Sequence, residues 1–198
     1  MGVVARPKMH TDAVGDRLVD EAMRIVADRG IAALSVREAA SAAGTSTSAV
    51  YSLFGSKDGL ARSVLVRAFE SFTQAQVSGT QSGEASTDLA GMGVMYVAWA
   101  LENPRLYELM FGQSVVGIAE SPETKAASAR AIAPLRDGVR RAIAAGIFRS
   151  AEVDTVVASL WSQVHGLTTL MLAGHFPEGA DPGASAMAVI DGWRAARP

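Results

Sequence analysis

The stretch SVREAASAAGTSTSAVYSLFGSK, residues 35–57, constrains the chain more than any other. Two sets of helix start and stop signals follow one another in it. Ser35-Val36-Arg37-Glu38 has the form of a capping box, with serine at the cap, glutamate three residues later and alanines behind. Gly44 stops that helix, Ser46 caps the next one, and Gly55 ends it after Phe54. Two short helices joined tightly through Ala43, Gly44 and Thr45 make a helix-turn-helix. Ala39, Ala40, Ala42 and Ala43 let the two axes approach, because nothing larger than a methyl stands between them. The second helix spends little on a core. Val50 and Phe54, four apart, face inward, while Thr47, Ser48 and Ser52 offer only short hydroxyls. A thin helix of this kind fits the DNA major groove, where hydroxyls donate or accept and methyls touch thymine. Taken alone, such hydroxyls are a solvated face on a connecting helix. The capping box, the glycine turn, the Tyr51–Phe54 pair and Lys57 in register favour DNA.

The rest of the chain reads as helix nearly throughout. Val14, Leu18, Ala22, Ile25 and Val26 recur at helical spacing, with Thr11 or Asp12 as the expected cap and Gly30 as the stop. Ser56 is expected to cap a longer helix to about Val77, with Leu60, Val64, Ala68 and Phe72 on one face. The polar segment SGTQSGEAST, 78–87, lacks periodicity and marks a boundary. Further helices are expected at about 87–102, 104–112, 121–145, 152–174 and 182–196. Strand-like alternation is nowhere sustained. The expected fold is all-α: an amino-terminal three-helix DNA-binding domain (1–55), a connecting helix (56–77) and a larger helical domain (78–198).

Composition limits the function classes. A net charge of −2 advertises no nucleic-acid partner by bulk electrostatics, and residues 1–77 carry nine Lys/Arg against eight Asp/Glu. The DNA reading rests on local geometry instead. The chain has no cysteine, so disulfides, thiolate metal sites and cysteine nucleophiles fall away together. The amino terminus, MGVVARPKMH, lacks the apolar segment of a signal peptide, and the expected location is cytoplasmic. From Thr155 to Phe176 no Asp, Glu, Lys or Arg appears. Six polar residues interrupt that segment and no basic cluster flanks it, so a helix buried between helices or at a subunit interface fits better than a membrane span. His10, His165 and His175 are scattered, and no metal site or cofactor is expected.

The run SVREAASAAGTSTSAVYSLFGSKDGL, 35–60, resembles the DNA-binding signature of TetR-type transcriptional regulators. NPRLYELMFG (103–112) and WSQVHG (161–166) resemble the subgroup whose carboxy-terminal domain is named for its Trp, His and Gly. The resemblance implies a helical DNA-binding domain joined to a helical ligand-binding and dimerisation domain. It also implies residue roles. Amides at the start of the helix after Ser35 face a phosphate, helped by Arg37. Tyr51 offers its hydroxyl to a phosphate, and Lys57 holds another. Thr45, Ser46, Thr47, Ser48 and Ser52 are the base-edge candidates. Unlike many relatives, this recognition helix has no Arg, Gln, His or Lys, so bidentate base contacts are missing. Reading then leans on methyl contacts, water and DNA shape.

One helix-turn-helix reads too little DNA for useful specificity, which points to a homodimer on a near-palindromic operator. The helices at 152–174 and 182–196 are expected to form the subunit interface, with Leu160, Val164 and Leu167 in its seam. The aromatic and methionine-rich group holding Met95, Trp99, Tyr107, Met110 and Phe111, with Trp161 and His165, is the candidate wall for a small apolar effector. Each of these residues taken singly suits a core position, and Trp161 and His165, four apart, also suit a simple packing contact. Two other classes stay open on the residues alone. One is a small helical enzyme using His165 with Glu102 or Glu108. The other is a helical interaction module, which would explain the uncharged 155–176 segment but not the turn signature.

Overall fold

The computed structural model describes residues 8–80, 82–112, 118 and 121–196. Residues 1–7 of the amino-terminal segment, read above for a leader, lie outside the described residues, as does the side chain of Thr11. Among the described residues there are nine α-helices and no strand. They are α1 (Lys8–Arg29), α2 (Val36–Ala42), α3 (Thr47–Phe54), α4 (Lys57–Ser78) and α5 (Ala85–Glu102), followed by α6 (Pro104–Phe111), α7 (Pro122–Ala144), α8 (Val153–Leu172) and α9 (Pro182–Trp193). A single 3-10 turn, Ile31–Ala33, links α1 to α2. α1 begins ahead of the expected cap at Thr11 or Asp12. Threonine and aspartate cost a helix interior only a fraction of a kcal/mol, about 0.7 at most, so a cap-type residue does not by itself force a start.

The chain divides into two compact units. Unit 1 comprises residues up to Phe69 together with Arg105–Ala127. Its core is aliphatic: Leu18, Ala22 and Val26 from α1, Ala39 and Ala40 from α2, Val50 from α3, and Leu60, Val64 and Ala68 from α4 are all buried. α6 contributes Leu106 and Leu109 to the unit's buried set, and Phe111 meets Phe69 edge to face at 6.2 Å. On the outside, Arg67 of α4 forks onto Asp16 (2.9 Å) and Asp20 (2.5 Å) of α1. Those two carboxylates are four apart, hence on one helix face.

Unit 2 comprises Glu70–Pro104 and Ser128–Pro198. Its apolar centre gathers Leu89, Val139, Phe148, Val156, Val157, Leu160 and Ile190. At one point two backbones touch. A side chain at Gly79 would lie 2.5 Å from the Gly91 carbonyl group, and one at Gly91 would lie 2.1 Å from the Gly79 oxygen. Only glycine at both positions permits that crossing of α5 by the end of α4. α7 continues through Pro134, which removes one ladder donor. Gln76, itself buried, donates its side-chain amide to the Ala131 carbonyl at 3.4 Å, one turn before the proline.

Leu160 and Leu167 are placed otherwise than in an intersubunit seam. Both are buried within unit 2, at 9% and 5% exposure, and Leu160 belongs to its apolar centre. The exposed positions of α8 are Asp154, Thr155, Ala158, Trp161, Ser162, Thr169 and Leu170, and those of α9 include Ala184, Ala188, Asp191 and Gly192. In a segment without charges every face looks apolar, so periodicity alone does not tell which one is covered. No described helix is long and apolar enough to cross a membrane.

Candidate nucleic-acid interface

Three serine hydroxyls set the local frame. Ser35 Oγ accepts from the Glu38 amide at 3.4 Å, Ser46 Oγ from the Ala49 amide at 3.2 Å, and Ser56 Oγ from the Gly59 amide at 3.0 Å. Each satisfies an amide that a helix start leaves without a partner. Glu38, the other half of the expected capping box, meets the Arg29 guanidinium with its carboxylate. That ion pair ties the end of α1 to the start of α2.

The turn between α2 and α3 closes as a left-handed cap. Gly44 sits at φ 65°, and the Thr45 amide reaches back to the Ala40 carbonyl at 2.9 Å. A residue with a Cβ would be strained at that φ. Gly55, at φ 74°, ends α3 with its own amide bonded to the Tyr51 carbonyl at 3.0 Å. Buried Ala39, Ala40 and Ala43 then hold the pair together.

α3 is thereby fixed with one side inward and one outward. Val50 is fully buried and Phe54 half-buried, while Ser46, Thr47, Ser48 and Ser52 are exposed and Thr45 is partly so. Tyr51 is 55% exposed, far more than a ring needed for the core. Arg37 near the start of α2 and Lys57 at the start of α4 are both exposed. All nine residues singled out from the sequence therefore lie in one helix-turn-helix and its flanking turns, and its outward face carries hydroxyls and two cations. Such a face can meet phosphates with Arg37, Lys57 and the Tyr51 hydroxyl, and base edges with short side chains.

Residues 18–64 match the bacterial regulatory proteins of the tetR family, and residues 89–192 match the tetracyclin repressor-like C-terminal domain. The chain belongs to the TetR family. Its amino-terminal segment is a TetR-type helix-turn-helix domain, and the matched description of the remainder does not single out the Trp-His-Gly subgroup. The HTH-type transcriptional regulator Rv1816 of Mycobacterium tuberculosis is 28% identical over 137 residues, covering 67% of this chain. This TetR-family chain spans 58% of the length of that relative. Among solved structures, a protein of unknown function from Rhodococcus sp. RHA1 superposes with a TM-score of 0.78 at 23% identity, covering 92% of this chain and 96% of the other. RolR, solved in complex with resorcinol, gives a TM-score of 0.67 at 20% identity, with 94% and 90% covered. At those identities the likeness is one of fold.

The residues expected at an effector wall are distributed over both units. Met95, Trp99, Trp161 and His165 belong to unit 2, whereas Tyr107, Met110 and Phe111 belong to unit 1. Within unit 1, Tyr107 and Phe111 pack at 4.9 Å. Within unit 2, the Trp161 and His165 rings lie 6.3 Å apart, edge to face, and the Trp99 indole donates to Ser71 Oγ at 3.1 Å. His165 has a partner that sequence spacing does not reveal. Its Nδ1 lies 3.0 Å from the hydroxyl of Tyr96, 69 positions away. Burial pushes the His165 imidazole below its ordinary pKa, favouring the neutral ring. Among the described residues, no group of His, Asp or Glu is arranged to hold a metal ion.

Proposed function

We propose that this protein is a DNA-binding transcriptional regulator, a repressor released from a near-palindromic operator by a small apolar effector. The observation that carries the reading is the outward face of α3. It is a capped helix whose exposed Thr47, Ser48 and Ser52 side chains are too short and too polar for any packing role. Arg37, Tyr51 and Lys57 hold phosphates, and Thr45, Ser46, Thr47, Ser48 and Ser52 face base edges. Residues 1–55 serve as the DNA-binding domain, 56–77 as the connecting helix, and 78–198 as the ligand-binding and dimerisation part. The protein works in the cytoplasm, without catalysis and without a cofactor.

Two copies pair through α8 and α9, whose exposed positions apart from Asp154 and Asp191 are small or apolar, and present their recognition helices to successive major grooves. The effector enters unit 2 among Met95, Trp99, Trp161 and His165. It favours a conformation whose recognition helices are wrongly spaced, and bound operator weakens effector binding by the same factor. The resorcinol complex of RolR supports a small hydroxylated aromatic as the kind of molecule that this fold admits. Selection of bound fragments from genomic DNA tests the reading. The expected result is a short inverted-repeat motif with retention that falls steeply with salt. Retention without any enriched motif would contradict it.

A further inference from the structure

From Ala39 to Ser56 the chain has no charged, amide or imidazole side chain. Those are the groups that pick out a base by two hydrogen bonds at once: arginine or lysine for guanine, asparagine or glutamine for adenine. α3 brings hydroxyls and methyls instead. Its outward residues fall into two rows, since positions four apart share a face. Thr47 and Tyr51 make one row, Ser48 and Ser52 the other, and all four are exposed. Ser46, just before them, already has its hydroxyl committed to the Ala49 amide at 3.2 Å. Of the methyl-bearing residues of α3, only Thr47 is exposed; Ala49 and Leu53 are half-buried and Val50 is buried. Thr47 also opens the helix, and the first residues of a recognition helix are the ones that meet base edges.

Hydroxyls and methyls differ in what they tell apart. A hydroxyl donates or accepts by turning, so it meets the O4 acceptor of thymine or the N4 donor of cytosine equally well. A methyl cannot adapt. It gains by shedding water against another apolar group, and the apolar group that a base offers in the major groove is the methyl at C5 of thymine. A cytosine methylated at C5 carries the same group at the same place. We propose that Thr47 reads the C5-methyl of a pyrimidine, so that thymine and 5-methylcytosine are interchangeable at one position of each half-site, while uracil and unmethylated cytosine bind poorly there. This rests on the reading of α3 as the DNA-reading helix given above. Its functional consequence is that cytosine methylation opens sites which the protein otherwise passes over.

The test uses the full chain and synthetic duplexes of the sequence enriched from genomic DNA. At each thymine of the half-site in turn, uracil, 5-methylcytosine or cytosine takes its place, the cytosines paired with guanine, and filter retention is measured at fixed salt. At one of these positions uracil should weaken binding about fourfold in one half-site and about fifteenfold in both, the effect of one buried methyl each. Cytosine should fall with uracil there, and 5-methylcytosine should bind as thymine does. Thr47→Ser deletes the methyl and keeps the hydroxyl, and should bind the thymine and uracil duplexes alike. Thr47→Val keeps a methyl without the hydroxyl, and should retain the preference for thymine. Equal retention on thymine and uracil at every position, an enriched sequence without thymine, or 5-methylcytosine behaving as cytosine would overturn the proposal while leaving α3 as the reader. A uracil effect that persists in Thr47→Ser would overturn it too, since groove shape or another side chain would then carry the preference. No enriched sequence at all would overturn both the proposal and the reading beneath it.

Discussion

α3 and α8 each leave a face uncovered, and the two faces differ in kind. On α3 the exposed residues are hydroxylic, Thr47, Ser48 and Ser52, and cations stand at either side in Arg37 and Lys57. On α8, beyond the exposed Asp154 and Thr155 of its first turn, they are small or apolar, Ala158, Ser162, Thr169 and Leu170, with Trp161 among them. A hydroxylic face stays solvated at little cost until a polar partner arrives. An apolar face is the kind that a protein covers with protein. The lesson is that an uncovered helix face tells its partner by chemistry more than by size, and on that ground the proposed partners are DNA for α3 and a second copy for α8 and α9.

The sharpest way to break this comparison is to put a charge on each side of α8. Leu160→Arg introduces an unpaired charge into unit 2's own centre and should cost about 3–5 kcal/mol, unfolding much of the protein. Ala158→Arg or Ala188→Arg adds the same charge to the uncovered face. Stability of the single chain should then change by no more than about 0.5 kcal/mol, while sedimentation shows monomers. An intact dimer in both surface variants would remove α8 and α9 as the interface.

The other side of the comparison is sharpened by the cations. Arg37→Ala and Lys57→Ala should each weaken binding to every DNA sequence by about tenfold, if each removes the charge-assisted contact to phosphate proposed for it. The salt slope should fall by about one unit for each. Filter retention at several salt concentrations measures both. A loss confined to the preferred sequence would show that these side chains touch bases. Smaller still is the cap. Ser46→Ala removes the partner of the Ala49 amide and should cost about 1 kcal/mol in urea unfolding, with the fold otherwise retained. No measurable loss would mean that water replaces the hydroxyl.

Much of the helix-turn-helix was legible in the sequence because its determinants are local. Caps at Ser35, Ser46 and Ser56 and the positive φ at Gly44 and Gly55 all depend on residues within one turn of one another. The bounds of α4 and α6 were legible for the same reason. The other half was less so. Nothing near His165 announces Tyr96, and nothing in the spacing of Leu160 and Leu167 says that unit 2 covers them. The crossing of Gly79 over Gly91 depends on how two helices meet, and so does the bracing of α7 at Pro134 by Gln76. Those are contacts of packing, and local signals do not encode them.

The claim that the hydroxyl face of α3 reads DNA is tested most directly by selection from randomised duplex DNA. The unaltered protein is run beside a variant carrying Thr47→Ala, Ser48→Ala and Ser52→Ala, and both are melted in parallel. None of the three residues is a cap, and exposed changes of this kind typically move stability by about 0.5 kcal/mol or less each. Loss of one specific base contact costs about 1–3 kcal/mol in discrimination. The expected result is an inverted-repeat motif for the unaltered protein and a changed or flattened one for the variant, at nearly equal melting temperatures. The same motif from both proteins would contradict the account and leave the hydroxyls as a solvated face.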